Sequence, residues 1–143
     1  MRLIGKEESG TVSLSRELQK GVFVPFRQGE TVTAFILRVL NLSQEQMVRE
    51  IQTLILNNGC VDRPDSRELL TGDTLVLSGA MPGLVGAMLR SDSPIKAMRA
   101  TISEITSGRD SSLPRGMIRL KLFNTVLANH KADLLNCGFY IEV

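Results

Sequence analysis

One stripe of apolar residues constrains this chain more than any other feature. Val32, Phe35, Ile36, Val39 and Leu40 recur at i, i+3, i+4, i+7 and i+8, the spacing that places side chains on one face of an α-helix. Thr31 stands where an N-cap oxygen is needed, just after a Gln28-Gly29-Glu30 turn. A helix over 31–41 must bury that face against a second apolar surface. The flanking segments offer one, because their apolar residues alternate with period two, as half-buried strands do. The chain therefore reads as α+β, with helices laid on a sheet.

Upstream of the helix, 11–26 reads as a hairpin. Val12, Leu14 and Leu18 fall on one side, Gln19-Lys20-Gly21 supplies the turn, and Val22, Val24 and Phe26 alternate again. Pro25 has no N–H to give a ladder, which places it at an edge or a bulge. Downstream, Ser43 and Gln46 form a capping-box pattern that predicts a short helix over 44–50. The compact run TLIL within 52–57 reads as a buried strand closed by an Asn58-Gly59 turn. Thr71-Gly72-Asp73 is another turn, followed by the strand TLVLS at 74–78. Ser93 with Pro94 opens a further predicted helix, and 106–116 (TSGRDSSLPRG) reads as a loop. At 117–143 the pattern is strand, helix, strand, with Asn124 as cap, Gly138 as stop and the two strands parallel. The organisation expected is one domain, 1–143. It has a core at 11–78, an apolar and helical segment at 79–105, a loop at 106–116 and a strand-helix-strand extension at 117–143.

Composition excludes several classes. The 143 residues suit one domain, and 43% apolar with 22% charged residues is not a disordered composition. No apolar run reaches the length of a membrane span, and MRLIGKEESG has no secretory h-region, which points to a cytoplasmic protein. Two cysteines, Cys60 and Cys137, cannot make a disulfide framework or a structural zinc site. The net charge of +2 is too small to imply nucleic acid, and with no Trp and one Tyr there is little to stack bases on. The charge is uneven: 1–81 carries nine basic and ten acidic residues, 82–143 eight basic and five acidic.

The order hairpin, helix, strand, strand over 11–78 is a ββαββ order, that of the β-grasp, or ubiquitin-like, superfold. The stretch VFVPFRQGETVTAFILRVL resembles the second strand, turn and helix of the sulfur-carrier proteins of thiamin and molybdopterin synthesis. QTLILNNGCV is similar to their third strand and its Asn-Gly turn, and LLTGDTLVLSGAMPG to their Leu-x-x-Gly-Asp-x-Val ending. The resemblance spans roughly residues 11–83. It implies a β-grasp sheet. The chemistry of a carrier needs a free Gly-Gly terminus, whereas here Gly83-Leu84-Val85-Gly86 is followed by a long further stretch and the sequence ends in Phe139 to Val143.

Candidate chemistry is sparse. His130, the one histidine, reads as a surface or boundary residue of the last helix. Both cysteines read as small buried apolar residues. Asp62 and Asp65 are either an acid/base pair or a polar turn. Gly83-x-x-Gly86 lacks the Gly-Lys-Ser/Thr ending of a phosphate loop. The uncharged stretch 79–89 is either core or a contact surface, with Met81, Leu84, Val85 and Met88 as interface candidates. Arg90, Ser93, Lys96 and Arg99 surround a predicted helix start and are candidate anion ligands. The sequence thus suggests a non-catalytic β-grasp interaction module that self-associates and needs no cofactor or metal. Its alternatives are a relative or partner of the sulfur-carrier machinery, or an anion-binding protein using 90–99.

Overall fold

The computed structural model describes residues 2–5, 13–61, 63–79 and 113–141. The candidates at Met81, Leu84, Val85, Met88, Arg90, Ser93, Lys96 and Arg99, and the helix expected after Ser93, lie outside them. The described residues form four helices and a seven-stranded mixed sheet. In chain order these are β1 (Arg2–Ile4), α1 (Leu14–Lys20), β2 (Val22–Pro25), α2 (Val32–Val39), α3 (Gln44–Glu50), β3 (Thr53–Leu56), β4 (Gly59–Cys60), β5 (Thr74–Ser78), β6 (Met117–Phe123), α4 (Asn124–Cys137) and β7 (Phe139–Ile141). The spatial order is β1-β7-β2-β6-β5-β3-β4. Only β5 and β6 run parallel, in the register Leu75↔Leu120 and Leu77↔Leu122; the other pairings are antiparallel.

The apolar stripe of α2 behaves as its spacing requires. Val32, Phe35, Ile36, Val39 and Leu40 are fully buried, and the Thr31 side chain accepts from Ala34 N. They share one cluster with Leu18 of α1, Met47 of α3, Leu134 of α4 and the inward residues of the sheet. Each such side chain contributes about 1.5–3 kcal/mol of burial. Ser43 and Gln46 close a complete capping box at the start of α3.

The expected hairpin at 11–26 is corrected: its first arm is helix α1. Leu14 and Leu18 are four apart, which is a helical repeat as much as a strand face. Leu18 is fully buried and Leu14 packs against the core. Gly21 is still the turn residue, at φ 115, but it ends a helix, its N–H donating to Glu17 O. A side chain there would also strike Arg119, whose Cγ and Cδ lie 3.0 Å from the Cβ position. Strand β2 therefore has no hairpin partner. It pairs with β6 and β7 instead, Val22↔Leu120 and Phe23↔Tyr140. Phe26 N bonds Gly116 O on the β6 side, so Pro25 turns its missing donor to the side where β7 no longer reaches.

The strand-helix-strand reading of 117–141 holds, with the strands parallel in direction but separated by β2, which lies between them. Gly138 N closes α4 on Leu134 O and Leu135 O. Asn124 does not cap it. Asn124 sits at φ 58, and its amide donates to Ser78 Oγ at 2.8 Å. No helix of the described residues is long and apolar enough to cross a membrane.

Candidate functional site

A concave surface lies beside the β3–β4 turn. Asn57 and Asn58 both take left-handed backbone, φ 50 and 70, between paired Leu56 and Gly59. That is the two-residue arrangement of a type I′ hairpin. The turn is one residue earlier than Asn58-Gly59, because the Asn57 side chain is locked in place. Its amide donates to Asp73 Oδ1 and its oxygen accepts from Thr74 N, both at 2.8 Å.

Asp73 is fully buried, and its Oδ2 accepts from Leu70 N at 2.8 Å and faces Arg67 Nη2 at 3.5 Å. A buried carboxylate needs such donors. The Gly72-Asp73 turn thus joins the β3–β4 turn, the 63–70 loop and the start of β5. The same loop roofs the N-terminus of α2: Arg67 O accepts from Val32 N at 2.8 Å and Pro64 O from Thr33 N at 3.1 Å. The Thr33 hydroxyl donates to Asp65 at 2.5 Å. Asp65 is therefore a loop anchor; Asp62 lies outside the described residues.

Between turn and loop opens a cleft of about 670 Å³, lined by Leu56, Asn57, Cys60, Val61, Arg63, Ser66 and Arg67. Arg63 O accepts from Arg67 N at 3.1 Å, a tight loop that presents both arginines at the cleft. Arg67 donates one Nη to Glu68 O. Arg63 makes no ion pair among the described residues.

The cysteine expectation is corrected, since both Cys60 and Cys137 are exposed free thiols. Cys60 lies on the two-residue edge strand β4, where nothing in the sheet covers it from outside. Cys137 ends α4, its thiol donating to Val39 O at 3.5 Å. Burial around that sulfur pushes the thiol up; the Arg38 charge opposes this and the Asp133 charge adds to it.

His130 is also corrected: it is buried, with 7% exposure. Nδ1 lies 2.9 Å from Asp133 Oδ2 and Nε2 lies 2.8 Å from Glu50 Oε1. Each ring nitrogen thus faces a carboxylate, and His130 lines none of the clefts described among these residues. A candidate general base needs a nitrogen within reach of a substrate, so this cluster acts as a strut between α3 and α4. Close by, Asn124 holds Ser78, Ser78 Oγ donates to Gly79 O, and Thr125 packs on Gly79 where a Cβ would stand.

Two members of the basic excess, Arg119 and Lys121, point to the sheet face opposite the helices. Arg119 lies over the Phe23 ring, 4.8 Å from its centroid. Burial, then the Arg119 charge, holds the Lys121 ammonium below the usual lysine range.

Sequence reasoning passed over Arg63, Arg67 and Asn57. The usable signal was Asp73: an acidic residue beside a glycine turn, followed by an apolar strand, reads as a turn former but serves as a buried hub. No protein-family model, curated protein or solved structure matches this chain.

Proposed function

We propose that this chain is a non-catalytic β-grasp module that binds a protein partner and self-associates. The observation that carries the reading is the central parallel pair β5 and β6, with antiparallel neighbours on both sides. That arrangement supports reading β2-β6-β5-β3-β4 as a β-grasp sheet, with the buried stripe of α2 in the same core. The strand that opens such a sheet in the sulfur carriers is supplied here by 117–123. Among the described residues the sheet ends at β1 and β4 with no further strand, and an open edge is a ready template for a partner strand. The occupied ring nitrogens of His130 support a structural rather than a catalytic role for the one histidine. Self-association is assigned to the uncharged stretch 79–89 on its sequence.

Native mass spectrometry of the protein purified from its own cells tests this. The expected spectrum is a defined multimer or a retained protein partner, and Leu84→Glu is expected to shift multimer to monomer. A bare monomer without a partner would overturn the reading. A chain shortened after a glycine, or one carrying a sulfur-sized increment, would favour the carrier alternative. A retained anion that survives replacement of Arg63, and is lost on replacement of Arg90 and Arg99, would favour binding at 90–99.

A further inference from the structure

We propose that the cleft beside the β3–β4 turn is an oxyanion site, in which Arg63 and Arg67 hold the carboxylate or phosphate group of a small ligand. Its volume of about 670 Å³ falls in the range of about 300–1,000 Å³ typical of small-molecule pockets. Two guanidiniums line it, and no acidic side chain among the described residues does so. Arginine presents five donors in a fixed fork matched to oxyanions.

Arg67 spends one Nη on Glu68 O, and its other contact, to Asp73, is long at 3.5 Å. Arg63 spends none on a described ion pair. The carbonyls of Arg63, Pro64 and Arg67 are tied to the loop and to α2, so the bases of the two arginines are fixed before a ligand arrives. Such preorganisation lowers the ordering cost of binding. Leu56 and Val61 give the ligand's body an apolar wall. Among the described residues, the carboxylates of the adjoining turn and loop are already engaged: Asp73 by Asn57 and Leu70, Asp65 by Thr33. This inference does not depend on the partner-binding reading.

The exposed Cys60 thiol, on the lining of this cleft, is a built-in reporter, and Cys137 is an internal control at a distant helix end. The full-length chain is labelled with iodoacetamide in potassium chloride, phosphate or acetate at equal ionic strength, and each thiol is followed by peptide mass. Phosphate or acetate is expected to slow labelling of Cys60 and leave Cys137 unchanged, by about tenfold when the anion stands at about ten times its Kd. Protection by phosphate alone identifies a phosphate-type ligand, and protection by both identifies the shared oxyanion chemistry. Arg63→Ala, which removes no described side-chain bond, is expected to abolish the protection at an unchanged melting temperature. Arg67→Lys, which keeps charge but loses the fork, is expected to weaken it. Equal Cys60 labelling in all three salts, or protection that persists in Arg63→Ala, would overturn the proposal.

Discussion

Glu30 shows how a single carboxylate can make stability depend on pH. Arg38 reaches it with two bonds, Nε to Oε2 at 2.7 Å and Nη2 to Oε1 at 2.8 Å, and the Arg27 N–H adds a third at 3.1 Å. Burial pushes the Glu30 carboxyl up, but the Arg38 hydrogen bonds, the Arg27 N–H and both guanidinium charges together hold it below its ordinary range. A carboxyl whose pKa falls on folding contributes stability that is present above its unfolded value and lost as pH drops through the folded one. Glu30→Gln is therefore expected to cost about 1.5–3 kcal/mol at neutral pH and far less in acid. Urea unfolding over a pH series measures this; a pH-independent difference would contradict it. None of this is visible in the sequence, where Glu30 is one residue of a polar turn and Arg38 the solvent-side residue of a helix. The same holds for Asp73, whose bond to Leu70 N lies within its own turn but whose partner Asn57 arrives from 16 positions away.

At the scale of elements, legibility followed locality. Helices α2 and α3 were readable because stripe and caps lie within a dozen residues of one another. The β3–β4 turn was readable to within one residue, since two adjacent asparagines and a glycine all accept left-handed backbone, and only the distant Asp73 selects between them. Helix α1 was misread because Leu14 and Leu18 satisfy both periodicities and too few residues follow to decide. His130 was misplaced because its partner Glu50 is 80 positions away. That pairing makes a prediction about how elements are joined. Leu at His130 leaves Glu50 and Asp133 without the ring nitrogens they face, whereas Gln keeps an amide donor. His130→Leu is expected to lose about 1–3 kcal/mol, the cost of unmade hydrogen bonds at a buried position, and His130→Gln less. Amide hydrogen exchange should show the loss first at the α3–α4 contact. Uniform acceleration across the sheet, or none, would contradict a local strut.

For the whole molecule, the strand order matters more than any contact. The ends of the described chain meet, β1 on β7, and β2 is held only by β6 and β7. Removing residues 117–143 should therefore leave β2 and β5 each without a central neighbour, rather than trim an appendage. The truncated chain is expected to show no cooperative urea transition and a flat near-ultraviolet circular dichroism spectrum. A cooperative transition would mean that 13–79 folds alone. Alternation marks the C-terminal strands β6 and β7, whereas β1 (Arg2–Ile4) is too short to show a pattern and was not foreseen; which strands become neighbours carries no local sign, because pairing across such separations is decided by burial of the assembled sheet.

That arrangement has a consequence for how the protein is made. Ribosomes add about 5–20 residues each second, so on the order of ten seconds separate the emergence of Pro25 from that of Met117. Throughout that interval β2 is outside the tunnel with neither of its partners yet emerged, whereas β3, β4 and β5 have one another as soon as Ser78 is out. The nascent chain therefore carries an apolar strand, Val22-Phe23-Val24, that waits on translation itself, and a slowed ribosome lengthens the wait. Synthesis rate, and any chaperone met at the tunnel exit, thus acts on this protein through β2 before it acts on any other strand of the sheet's centre.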